Sequence, residues 1–172
     1  MLIFILAGAF STTAEKMGGV TSTVNLGLSL IPQNLIIVGL FVICMFVSIS
    51  MGTSVGTVAA IAPVGFGFAQ ATHVPAALAM ATVVGGAMFG DNLSMISDTT
   101  IAAVRTQKTK MNDKFRVNFK IVLPGAILTI IILFFLTNGI SIDHAKSYDY
   151  NLIKVIPYLL VLILALVGVN VI

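Results

Sequence analysis

The sequence predicts an all-α membrane protein, a multi-span helical bundle with broken and re-entrant helices. Of its 172 residues 58% are hydrophobic and only 9% charged. Soluble domains carry roughly 25% charged residues, so this chain cannot coat a water-facing surface. Apolar runs near the length of about 20 residues that crosses a bilayer as a helix recur along it. Two further apolar runs end abruptly in polar, glycine-rich or Ser/Thr-rich chain, and such backbone at membrane depth must line a polar cavity or be buried in protein.

From the start, Leu2 to Leu6 is apolar with no basic residue ahead of it, which argues against a secretory signal peptide. Gly8 to Gln33, with Glu15 beside Lys16, alternates small, polar and apolar residues and predicts a loop plus an interfacial or re-entrant half-helix. Leu35 to Ser50 is strongly apolar, meets Gly52 to Thr57, and resumes as Val58 to Phe68. Val74 to Phe89 is apolar and meets Gly90 to Thr100. Val117 to Thr137 and Leu152 to Ile172 read as ordinary spans, with Pro124 and Pro157 tolerated inside them. Both ends fall within apolar segments without interfacial anchors, so residues 1–172 read as one transmembrane domain cut from a larger multi-spanning protein, or as a truncated reading frame.

Charge is local. Arg105, Lys108, Lys110, Lys114, Arg116 and Lys120 share one stretch with a single acid, Asp113. Residues 105–120 therefore predict a basic cytoplasmic loop, a topology signal before a lipid- or regulator-binding one, and place the loop 138–151 outside. The composition excludes disorder and argues against nucleic-acid binding, leaving the lipid bilayer and small solutes as partners. Cys44, the only cysteine, reads as a small buried hydrophobe.

Asp91 and Asp98 are the candidates for chemistry. An Asp at the centre of a membrane helix costs about 2.5 to 3.5 kcal/mol even on the lower scales, so it faces an interior or a pathway. Seven residues apart, the two share one face of a continuous helix at about 10.5 Å, and unwinding brings them closer. Asn92, Ser94, Ser97, Thr99 and Thr100 add the hard oxygens that a small hard cation requires. The competing reading makes the carboxylates interfacial helix caps, Asp98 capping a helix from Thr99. Thr53, Ser54 and Thr57 form a second oxygen-rich group, which a broken helix presents to the same cavity. Against this, Gly52 and Gly56 have the GxxxG spacing of close helix packing. His73 reads as a surface turn residue, the methionines as core filler and Glu15–Lys16 as an interfacial pair; no phosphate loop, zinc pattern or nucleophile elbow appears.

The run Gly90, Asp91, Asn92, Leu93, Ser94, Met95, Ile96, Ser97, Asp98, Thr99, Thr100 resembles the GD-x-x-S-x-x-SDTT hallmark of the NhaC family of bacterial sodium/proton antiporters. Gly52 to Thr57 resembles that family's GTS-x-GT segment, and the likeness covers about Leu2 to Phe135. Two departures stand out: the commonest family form has lysine where Asn92 stands and proline where Met95 stands.

The resemblance implies about one half of an inverted-repeat secondary transporter in the bacterial cell membrane, exchanging Na+ for H+ by alternating access. Asp91 and Asp98 would carry Na+ and the proton in turn, with Asn92, Ser94, Ser97, Thr99, Thr100, Thr53, Ser54 and Thr57 as neutral ligands. No cofactor is implied beyond the transported ions, and the protein partners expected are a second repeat or another copy. Rival readings are a Na+- or H+-coupled carrier of a small organic or amino acid, which an interior basic side chain would favour, and an inactive fragment. An intramembrane aspartyl protease lacks its G-x-G-D element here, since Met88 and Phe89 precede Gly90.

Overall fold

The computed structural model describes residues 9, 12–13, 16–32, 35–72, 74–137 and 149–167, and among them every regular element is a helix. The principal helices are α1 (Gly19–Leu30), α2 (Ile36–Met51), α3 (Ser54–Thr72), α4 (Ala76–Leu93), α5 (Asp98–Thr106), α6 (Met111–Thr137) and α7 (Leu152–Val167). Glu15, His73, the segment 138–148 and residues 168–172 lie outside the described residues, so expectations about them stop at the sequence.

Each break in the chain has a local cause. Gly52 ends α2 in the left-handed region, at φ 70°, and donates its N–H to Ser48 O at 2.9 Å. Glycine takes that conformation without the Cβ penalty other residues meet. Thr53 then caps α3: its hydroxyl accepts the Gly56 N–H at 3.3 Å and its carbonyl accepts the Thr57 N–H at 3.2 Å. Helix α4 runs through Asp91 and Asn92 and stops at Ser94, whose N–H reaches Asp91 O at 3.1 Å. Residues 94–97 are non-helical, and α5 restarts at Asp98.

The expected basic loop over 105–120 is corrected to a helix end, a short turn and a helix start. Arg105 belongs to α5, only Gln107 to Lys110 leave the helix, and Met111 onward is helical. Lys108 makes the reversal possible by taking a φ of 51°. Asp113 in the first turn of α6 complements that helix's dipole, which favours an early helix start.

Helix α2 is the centre of the assembly, contacting α1, α3, α4, α6 and α7, and its tightest partner is α4. Lipid gives helices no apolar incentive to associate, so close backbone approach and hydrogen bonds must hold them. The small residues that permit this are Gly86 and Gly90. A Cβ at Gly86 would lie 2.6 Å from Phe41 O, and one at Gly90 would meet Met45 O and stand 2.7 Å from Ser48 Cβ. Ser48, wholly buried, clasps the pair by donating to Ala87 O at 2.6 Å. Val24, Ile37, Val47, Ile61, Ala79 and Val83 fill the core around this seam.

Two stretches are long and apolar enough to cross a membrane: Ala76–Thr106, counted across the 94–97 break, and Met111–Thr137. Helix α6 is not a soluble core helix. Ile121, Ile127, Leu128, Phe135 and Leu136 are all at least half exposed along it, the surface a lipid-facing helix presents.

Candidate functional site

The two breaks lie against each other. Ser94 Oγ, buried, donates to Ile49 O at 2.8 Å, and a Cβ at Gly52 would stand 2.9 Å from Ile96 O. The end of α4 is thereby fixed beside the start of α3. At that junction Ser54 Oγ donates to Asp91 Oδ2 at 3.0 Å, so one carboxylate oxygen faces the positive, N-terminal end of α3. The second oxygen, Oδ1, is buried and has no hydrogen-bond partner. An unpaired buried acceptor of this kind ordinarily costs about 1–3 kcal/mol, and more when charged, so it marks a place where another group belongs.

Other predicted residues divide by what their oxygens already do. Ser97 is buried and shares a hydrogen bond with the Thr99 hydroxyl at 2.9 Å. Thr57, also buried, bonds back to Thr53 O at 2.8 Å. Asn92 is exposed, its amide donating to Met88 O at 2.9 Å. Asp98 was expected inside with Asp91; instead it is exposed at the first residue of α5, where its Oδ1 accepts the Thr99 N–H at 2.6 Å. Unwinding between the two aspartates has turned one carboxylate into the junction and the other onto the helix start. Gly86 and Gly90, at the same spacing as Gly52 and Gly56, provide the close approach of α4 to α2, while Gly52 provides that of the first break to Ile96.

A basic side chain that the sequence left in the topology stretch completes the site. Lys114 Nζ, from the first turns of α6, donates to Asn92 O and to Thr100 Oγ1, both at 2.7 Å. Asn118, one turn later on the same face, adds its amide to Asn92 O at 3.1 Å. Lys114 is thus a half-buried basic group at the edge of the site. Its sequence signal is the i, i+4 spacing of Lys114 and Asn118 at the head of an otherwise apolar helix.

A carboxylate held among helix breaks, in a chain whose described regular elements are all helices and whose α6 presents a lipid-compatible surface, defines a helical membrane protein with a polar site. The chain belongs to the Na+/H+ antiporter family, which it matches over residues 1–138. It is 32% identical to the Na(+)/H(+) antiporter NhaC of Bacillus subtilis (strain 168), across 85% of this chain and 31% of that protein. The NhaC of Alkalihalophilus pseudofirmus is 34% identical, across 86% of this chain and 32% of its own length. The malate-2H(+)/Na(+)-lactate antiporter of Bacillus subtilis is 29% identical, across 95% of this chain and 38% of its own. The chain thus spans about a third of the length of the curated relatives it matches. No solved structure matches it.

Proposed function

We propose that the chain forms an ion-carrying part of a cell-membrane secondary transporter that exchanges Na+ for H+, with Asp91 as the shared carrier. The observation that carries this is the buried, unpartnered Asp91 Oδ1 beside Ser54 at two facing helix breaks. One carboxylate takes either a proton or a monovalent cation, so each displaces the other. Neutral oxygens from Ser54 and Thr53 complete the Na+ shell, with Ser94, Ser97, Thr57, Thr99, Thr100 and Asn92 shaping the breaks around it. Asp98 serves at the mouth of the site. Alternating access follows if the paired breaks rock as a unit within a multi-span, inverted-repeat bundle, completed by a second repeat or another copy. The turn Gln107 to Lys110 faces the cytoplasm, as its lysines and Arg105 favour.

Reconstituted in vesicles, the full chain is expected to move protons against an imposed Na+ gradient, and Asp91→Asn to abolish the movement. An amide offers an oxygen but cannot take up and release the proton. Exchange that persists in Asp91→Asn would remove Asp91 as the carrier.

A second reading has specific support. Lys114 supplies a half-buried cation at the edge of the site, which a small organic anion needs, and one relative is named for malate and lactate exchange. Proton movement that requires lactate or malate as well as Na+ would favour it.

A further inference from the structure

The geometry points to Lys114 as the built-in counter-cation of the site: when Na+ leaves Asp91, the Lys114 ammonium moves onto the unpartnered Asp91 oxygen and holds the empty site neutral. This rests on the reading of Asp91 as the Na+ carrier.

Four observations support the movement. An ammonium has three hydrogens to donate, and Lys114 spends two, on Asn92 O and Thr100 Oγ1. Its anchor Asn92 is the chain neighbour of Asp91, and the four-carbon stem is flexible. The departure leaves no orphaned carbonyl, because Asn118 continues to donate to Asn92 O. The destination lacks a donor, since Asp91 Oδ1 is buried and unpartnered while Oδ2 keeps Ser54. Among the described residues, the acids nearby in sequence are otherwise placed: Asp98 is exposed and bonded to the Thr99 N–H, and Asp113 is exposed in the first turn of α6.

The functional gain is coupling. An antiporter leaks if its empty, charged carrier changes sides unloaded, or if it releases Na+ reluctantly. A tethered cation that competes with Na+ eases release and fixes the empty state in one arrangement. Its cost is affinity, and that cost is measurable.

Na+ binding to the full chain, followed with radioactive sodium at about pH 8, is the test. Lys114→Met, which keeps the stem, and Lys114→Gln, which keeps a donor for Asn92 O, are each expected to bind Na+ about tenfold more tightly, as removal of one nearby competing charge implies. Lys114→Arg is expected to stay near the wild type. In the unaltered protein, dicyclohexylcarbodiimide is expected to join Lys114 to Asp91 through an amide in Na+-free buffer, the carboxyl oxygen leaving in dicyclohexylurea, and Na+ to suppress that product. Unchanged or weaker Na+ binding in Lys114→Met and Lys114→Gln, or a cross-link absent or indifferent to Na+, would overturn the proposal and leave Lys114 a structural tie. Should Asp91→Asn bind Na+ as the wild type does, the failure lies instead with Asp91 as the carrier.

Discussion

Gly90→Ala tests the link between helix packing and the site. The added methyl would meet Met45 O, Ser48 Cβ at 2.7 Å and Ile49 N at 3.1 Å. Two of these three atoms are backbone of α2 and cannot rotate away, so α4 must retreat by several tenths of an ångström. Overpacking of this kind costs about 1–3 kcal/mol. The retreat also stretches the Ser48 Oγ to Ala87 O bond, now 2.6 Å, whose loss adds about 1 kcal/mol. Alanine's helix propensity returns at most about 1 kcal/mol, so the net is a destabilisation of about 1–3 kcal/mol. Because Asp91 is the next residue, the same retreat draws its carboxylate from Ser54 and weakens Na+ binding. Two glycines serve as controls. A Cβ at Gly85 would make ordinary contact with Phe41 at 3.5 Å, and one at Gly125 would meet nothing within 4 Å. Thermal denaturation in detergent, with Na+ binding on the same samples, is expected to show Gly90→Ala impaired in both and Gly85→Ala and Gly125→Ala unchanged or more stable. Equal stability and affinity in all three would refute the close-approach account.

Further expectations can be checked individually. Asp98→Asn is expected to retain a substantial part of exchange where Asp91→Asn retains none, measured side by side in proteoliposomes; equal loss would draw Asp98 into the carrier. Ser54→Ala removes one hydrogen bond to a carboxylate, about 1.5 kcal/mol, and is expected to weaken Na+ binding about tenfold while leaving exchange measurable at high Na+. Ser94→Ala leaves Ile49 O without its 2.8 Å donor and is expected to lower thermal stability more than Thr99→Ala, at an exposed residue. Thr109→Cys is expected to react with an impermeant thiol reagent from the cytoplasmic side only, with buried Cys44 silent in the background.

Much of this arrangement is legible in composition and punctuation. Gly52 and the hydroxyls after it predict the first break, and the Gly90 to Thr100 run predicts the second, because polar chain inside an apolar run has few other places to go. Sequence cannot say how sharply each break turns. A helix continued through Asn92 and a restart at Asp98 separate two carboxylates that a uniform unwinding would have kept together. Lys114 escapes for a different reason. Six basic residues in one stretch look alike in one dimension, and only the short turn at Gln107 to Lys110 folds one of them back over the end of α4. The close-packing glycines are likewise ambiguous: Gly52 with Gly56 and Gly86 with Gly90 have the same spacing, and left-handed backbone at Gly52 gives that pair another task.

The hydrogen bond from Ser94 to Ile49 spans 45 residues of sequence. On a ribosome making roughly 5–20 residues per second, the first break leaves the tunnel several seconds before its partner. During that interval the Ile49 carbonyl has neither its serine nor the glycine-lined face of α4, and a hairpin of α2 and α3 enters the bilayer with its turn uncovered. Biogenesis therefore has a vulnerable window here, closed only when the second hairpin arrives. Substitutions at Ser94 or Gly90 are expected to register first as chains lost to quality control during insertion, ahead of any change in the transport of those that survive.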